Sequence, residues 1–537
     1  MKQVKNILLM CVGVALTVSC NKQITDKQAD PNNPTSVPPG LILGTVLMDM
    51  SGSGSQGSLG GVDSWDQVQD WNQYHCQNYN YYGNNIYSWA NGSFDPYLVM
   101  KNVNQMEKEV TVRGGAAVNP YEALGRFIKA YYYYNLTSMF GDVPQTEALG
   151  TTTTPSYTPQ EQVFEYILNQ LDTANTDLAT LIAANDNSLQ SNQDIYFAGN
   201  LSAWQKTVNA FKLRVLIALS NQATDANLNV PTQFANIINN PTKYPLFGSQ
   251  ADDFEFTYNP GGSNTFSTYP FNPSNFGSIA GRFNMSYTYV NALTTISDPR
   301  VFMTCDPAWA VVNGDKNPCQ YQYFVGASTG EAIGNMYANA SAGLYSFIGR
   351  YRYYSNFTGD PDVLVGYKEM LFNIAEATER GWISGTAATW YQKGITESMS
   401  FYGIDVTQTS FTAHFLPPGA NSVTQVQPYA FTFNWATYYA QPAVQLSANQ
   451  ATAIGQIVLQ KYIACFENSG WEGYFNYRRT GVPAFQGGTG VGNNGVIPKR
   501  WAYPVSEQTQ NATNWKAAVA NQKFTADDLN QTMWLLQ

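Results

Sequence analysis

The chain has 537 residues, of which 44% are hydrophobic, 14% aromatic and only 12% charged; its formal net charge is −10 and its pI is near 4.8. Soluble proteins carry roughly 25% charged residues on average, so uncharged polar groups must keep this chain in solution. An acidic balance with no clustered Lys or Arg speaks against a nucleic-acid-binding role, and the length admits one extended domain as well as several.

Lys2 and Lys5 precede an apolar run from Ile7 to Val18, the pattern of an export signal and too short to span a bilayer comfortably. The run ends in Leu-Thr-Val-Ser-Cys, which resembles the lipobox of bacterial lipoproteins. Residues 1–19 are read as a signal peptide, with Cys20 the acylated first residue of the mature chain. Residues 20–40 carry several prolines and little apolar content, and read as a lipidated, flexible tether. The folded body, residues 41–537, is expected as one domain.

A Gly/Ser run at 51–61 precedes the stretch DSWDQVQDWNQYHCQNYNYYGNNIYSW, residues 63–89, where large rings sit among amides and glycine with only Val68 and Ile86 as aliphatic core residues. Two readings stand. The rings present flat apolar faces to a polar ligand, or they are buried with their polar tips satisfied by neighbours. Tyr79, Tyr81 and Tyr82, beside Gly83-Asn84-Asn85, are expected at an exposed tip, whereas Trp71 and His75, at helical spacing, are expected in the core. Trp65, Trp89 and Trp309 are further candidate ligand contacts.

Helical periodicity then dominates at 97–110, 121–140, 159–184, 201–222, 363–381, 387–402 and 448–468. Neighbouring helix pairs with short turns predict a mainly α fold built as tetratricopeptide-like hairpins. The pattern breaks at about 241–360 into short runs rich in Asn, Gly, Pro and aromatics, a large loop-rich insert. Inside it, Cys305 and Cys319 bracket CDPAWAVVNGDKNPC; a disulfide joining them is one of three pairings open to the four remaining cysteines, Cys76 and Cys465 being the others.

His75 and His414 are the only histidines, and no Cys or carboxylate cluster at metal-ligand spacing accompanies them. A G-x-G-x-x-G at Gly490, Gly492 and Gly495 lacks a preceding strand and meets Pro498, and so reads as a flexible loop. Asp252, Asp253 and Glu255 are the best acids for a glycan hydrolase, which would need two carboxylates at a defined separation.

Ordered motifs carry a resemblance to a family. DPNNPTSVPPGLIL, YEALGRFIKAYYYYNLTSMFGDVPQTEAL, DIYFAGNLSAWQKTVNAFKLRVLIALSN, SDPRV, EMLFNIAEATERGW, QKYIACFENSGWEGYFNYRRTGVPAF and IPKRWAYPVSEQTQN follow one another behind the lipobox. Together they resemble the SusD/RagB outer-membrane nutrient-binding lipoproteins, in particular the second SusD-like branch. The resemblance implies a surface lipoprotein of the outer membrane with tetratricopeptide-like hairpins. Such a protein binds an oligosaccharide, or in the alternative a peptide, and delivers it to a SusC-type TonB-dependent transporter. It implies no enzyme, cofactor or metal; the rival reading from the residues is the lipid-anchored hydrolase with acids near Asp252. Each motif also has a plain structural reading. Phe140-Gly141-Asp142-Val143-Pro144 is a helix stop, and Arg478 and Arg479 are expected to hold carboxylates or carbonyls of the scaffold.

Overall fold

The structure, a computed structural model, describes residues 36–51, 67–259 and 268–537. The signal peptide, Cys20, most of the tether and Trp65 lie outside the described residues.

Among the described residues, six helices of ten residues or more open the chain: α1 (Pro39–Met50), α2 (Pro96–Val112), α3 (Pro120–Phe140), α4 (Gln160–Ala183), α5 (Leu201–Ala218) and α6 (Val230–Asn239). Each of α2 to α6 packs on the one before it, as helical hairpins do. In α2, Val99, Met100, Val103, Met106 and Val110 form the buried stripe that a 3.6-residue period requires. Asn119 caps α3, its Oδ1 accepting the Glu122 amide at 3.0 Å. Gly141 ends that helix at φ +90, a conformation strained for any residue with a Cβ. Flanked by α2, α4 and α5, α3 buries every residue from Ala130 to Ser138, the run Tyr131-Tyr132-Tyr133-Tyr134 included.

The second half of the scaffold follows a short α7 (Ile333–Ser341) and comprises α8 (Tyr367–Glu379), α9 (Ala387–Phe401), α10 (Gln450–Ala464) and α11 (Glu472–Thr480). Here α8 packs on α9, α10 and, across the molecule, α5. Buried ion pairs join the two halves. Arg214 of α5 grips both oxygens of Glu369 on α8, at 2.7 and 2.5 Å, and Arg479 of α11 grips Glu376, one turn pair further along, at 2.5 and 2.8 Å. Burial opposes ionisation of Glu376, but the adjacent Arg479 and Arg380 guanidinium groups overcome it and hold the carboxyl down at about 2. Arg478 donates to the carbonyls of Lys499 and Ser138, each at 2.7 Å. The family motifs therefore work as scaffold: Asp194 accepts three backbone amides and the Trp204 indole, and Lys212 pairs with Asp172 at 2.6 Å.

Strands are few and short. β1 (His75–Gln77) pairs antiparallel with β3 (Phe283–Met285), β2 (Phe254–Phe256) with β4 (Asp362–Val365), and β5 (Ser410–Phe415) with β6 (Gln427–Thr432). The helix expected from residue 363 thus starts only at Tyr367. Val363-Leu364-Val365 prefers a pleated, buried strand, and Gly366 separates it from the helix. Between 241 and 360, the described helices are short, α7 with nine residues being the longest. A contiguous hydrophobic cluster runs from α1 to the last residues of the chain.

Candidate functional site

Residues 71–89 settle which rings are core and which are surface. His75 is fully buried in β1, with Nδ1 2.5 Å from Asp70 Oδ1 and Nε2 3.2 Å from Glu467 Oε1. Burial alone would lower its pKa, yet the Glu467 and Asp70 carboxylates raise it to about 10, so the ring is an imidazolium at neutral pH. Much of the amide bed is structural. Asn72 bonds the Gly470 carbonyl and the Tyr474 amide, and Gln73 bonds both backbone groups of Gln486.

Beyond β1 the chain turns out into solvent. Asn78 is tied to Gly281 and Asn284 through its side chain, and its amide donates to the Arg282 carbonyl at 3.0 Å. Asn85 closes the turn by pairing its side-chain amide with both backbone groups of Gln77, at 2.9 and 3.0 Å, as a strand neighbour would. The return is held where the Trp71 indole donates to the Ile86 carbonyl and the Tyr87 amide donates to that of Val491.

That clamped turn carries Tyr79, Tyr81 and Tyr82, which are 41%, 80% and 49% exposed. Their rings touch one another: centroids lie 6.3 Å apart for Tyr79 and Tyr81, 5.5 Å for Tyr79 and Tyr82, and 4.8 Å for Tyr81 and Tyr82. Tyr337 of α7, also exposed, joins at 5.1 Å from Tyr79, and the Arg282 guanidinium lies 3.3 Å from the Tyr82 centroid. The result is a shelf of mutually buttressed rings. Sequence reasoning missed Tyr337 and Arg282, which lie more than 190 residues away and reach the shelf only through α7 and the β1–β3 pairing.

Other sequence-based candidates lie elsewhere. Trp89 is a core residue and not a surface contact: it is 2% exposed, stacked on Trp501 at 3.6 Å and edged by Trp71, Tyr87, Trp471 and Tyr474. Trp309 is half-buried, its indole donating to the Leu416 carbonyl at 2.8 Å, and its ring faces Tyr429 rather than the shelf. Cys305 and Cys319 form no disulfide; all four described cysteines are free, buried thiols. Their loop is closed by other means. The Asp306 carboxylate pairs with Arg350 at 2.5 Å, Asp315 gathers Asn317, Gln320 and Tyr323, and Cys319 points its thiol at the Tyr429 carbonyl.

The acids considered for hydrolysis are built into the scaffold. Asp252 pairs with Lys206 at 2.7 Å and accepts the Gly248 amide, while buried Asp253 accepts the first amide of α8, from Tyr367, at 2.5 Å. Burial pushes the Asp253 carboxyl up to about 7. Among the described residues no group of three His, Cys, Asp or Glu side chains could hold a metal ion, and no helix is long and apolar enough to cross a membrane. The glycine-rich segment is a packed loop rather than a free one: a Cβ on Gly490 would fall 2.1 Å from the Glu331 carbonyl oxygen.

A concavity about 800 Å³ in volume opens elsewhere, between Phe94, Tyr97, Leu98, Pro144, Val505 and Glu507. Much of its polar rim is committed internally. Glu507 accepts from the Tyr157 hydroxyl and Asn511, and the Tyr97 hydroxyl donates to the Pro144 carbonyl. The shelf, with four exposed rings converging, is the better candidate for recognition.

Fold and shelf together define a helical-hairpin scaffold that presents an aromatic surface on its loops. The family described as SusD-like, starch-binding and associating with the outer membrane matches residues 31–504, and the chain belongs to it. Two SusD homologues from Bacteroides fragilis NCTC 9343 are similar in structure. One is 28% identical with a TM-score of 0.76, the alignment covering 93% of this chain and 100% of that one. The other is 30% identical with a TM-score of 0.74, covering 94% and 100%. A chitin-binding SusD homologue from Flavobacterium johnsoniae, 19% identical, shares the fold at a TM-score of 0.65 over 88% of this chain and 94% of its own. No curated protein matches the sequence.

Proposed function

We propose that this protein is a lipid-anchored outer-membrane protein that binds an oligosaccharide on the tyrosine shelf, without converting it, and passes it to a SusC-type TonB-dependent transporter. The observation that carries the reading is the exposed, mutually contacting set Tyr79, Tyr81, Tyr82 and Tyr337. Pyranose rings have apolar C–H faces that stack on such rings, while hydroxyls can meet the phenol tips and the exposed Asn80 amide. The family description and the chitin-binding relative support a sugar over a peptide. The anchor would be Cys20, with residues 20–40 as tether and the outer face of the membrane as destination.

Titration calorimetry of the mature protein with a panel of oligosaccharides tests the reading. Replacing Tyr79, Tyr81 and Tyr82 together by Ala should weaken sugar binding about a hundredfold, at roughly 1 kcal/mol per ring, the low end of stacking on aromatics. An unchanged affinity assigns the sugar site elsewhere, and release of reducing ends during the titration defeats binding without conversion. Anchoring is tested separately: fatty-acid labelling should vanish in Cys20→Ala.

A further inference from the structure

Arg282 stands apart from the other arginines. Each of the others pairs with a carboxylate or, as Arg478 does, bonds backbone carbonyls. Arg282 has no carboxylate within ion-pair distance among the described residues; its guanidinium lies over Tyr82, half-buried at the edge of the shelf. Its backbone is fixed on both sides, the amide donating to the Ile279 carbonyl at 2.8 Å and the carbonyl accepting the Asn78 amide. The guanidinium thus rests against Tyr82 from a fixed point of the backbone.

We infer that the oligosaccharide held on the shelf is acidic, with a carboxylate or sulfate on one sugar meeting the Arg282 guanidinium while neighbouring sugars stack on the tyrosines. The inference rests on the reading of the shelf as a sugar site. Stacking on Tyr82 uses the face of the guanidinium and leaves N–H donors along its edge, the fork that planar or tetrahedral oxyanions fit. A neutral glycan would leave that charge uncompensated beside three exposed rings. The net charge of −10 does not oppose this, since fields from charges farther than about 8 Å are largely screened at physiological salt. A polyanion approaching the acidic body would find its local attraction at Arg282.

The test is calorimetric titration of the mature protein with hexagalacturonate, a chondroitin-sulfate hexasaccharide, maltohexaose, chitohexaose and hexaglutamate, at low and at high salt. An acidic sugar should bind about tenfold or more tightly than the neutral ones, as a charge-assisted hydrogen bond warrants, and should lose that advantage at high salt. Arg282→Gln should abolish the preference, Arg282→Lys should keep part of it, and thermal melts should show both variants folded. Equal or tighter binding of a neutral hexamer, or an acidic affinity unmoved by Arg282→Gln, overturns the inference and leaves the sugar site standing. Preference for hexaglutamate points to an acidic peptide and overturns it too. If no sugar binds, this inference and the sugar-binding reading fall together.

Discussion

Tyr131 to Tyr134 and Tyr79 to Tyr82 are two tyrosine-rich runs with opposite fates. The first lies mid-helix, where each residue turns about 100° from the last, so four rings point four ways and all are buried because α3 has helices around it. Their hydroxyls are kept neutral by burial, and that of Tyr134 donates to Glu472 at 2.7 Å. The second run lies on a turn that amide side chains close at its base, which leaves its rings 41% to 80% exposed. Residue type is the same in both; the surroundings of the backbone decide whether a ring becomes core or surface.

Substitutions in each region sharpen that contrast. Tyr131→Ala with Tyr132→Ala should remove about 3–5 kcal/mol for each ring, a sum on the scale of the about 5–15 kcal/mol that holds a domain together; the cooperative melt is expected to disappear. His75→Gln, at the base of the exposed turn, would leave Asp70 and Glu467 buried without their cation and should cost about 3–5 kcal/mol at pH 6. Because the folded-state pKa of His75 is raised from 6.5 to about 10, its contribution is full below pH 6.5 and is lost as pH rises through 10. Chemical denaturation of both proteins should accordingly show the gap narrowing across that window, and a gap independent of pH would mean that His75 is neutral. The smallest effect is expected for Tyr81→Ala, within about 0.5 kcal/mol by thermal melt; a larger loss would place that ring in the core.

The helical scaffold was legible because apolar residues recur at helical spacing over long segments; 121–140 is an example, ended by Gly141 and Pro144. The strand at 362–365 was not, since its three apolar residues, Val363, Leu364 and Val365, next to a helix continue its hydrophobicity without marking a change of period. The tyrosine tip could be read from Gly83-Asn84-Asn85, which favours a turn over burial. Trp89 could not, because its partner Trp501 is more than 400 residues away, and nothing local distinguishes a stacked indole from an exposed one. Separations of more than 190 residues likewise hid Arg282 and Tyr337. For Cys305 and Cys319, turn-forming neighbours suggested closure of the loop, and carboxylate hydrogen bonds supply it.

The shelf is joined to the far end of the chain: the Tyr87 amide donates to the Val491 carbonyl, and Gly490 packs on the Glu331 carbonyl a few residues before Tyr337. Contacts so distant in sequence form late, since a large loop must close before they are gained. Residues 487–495 support a turn whose tyrosines lie about 400 residues earlier in the chain. A chain interrupted before Val491 would keep the contacts among the rings but lose the carbonyl that receives the Tyr87 amide and the glycine loop that packs on Glu331, and with them part of the support beneath the shelf.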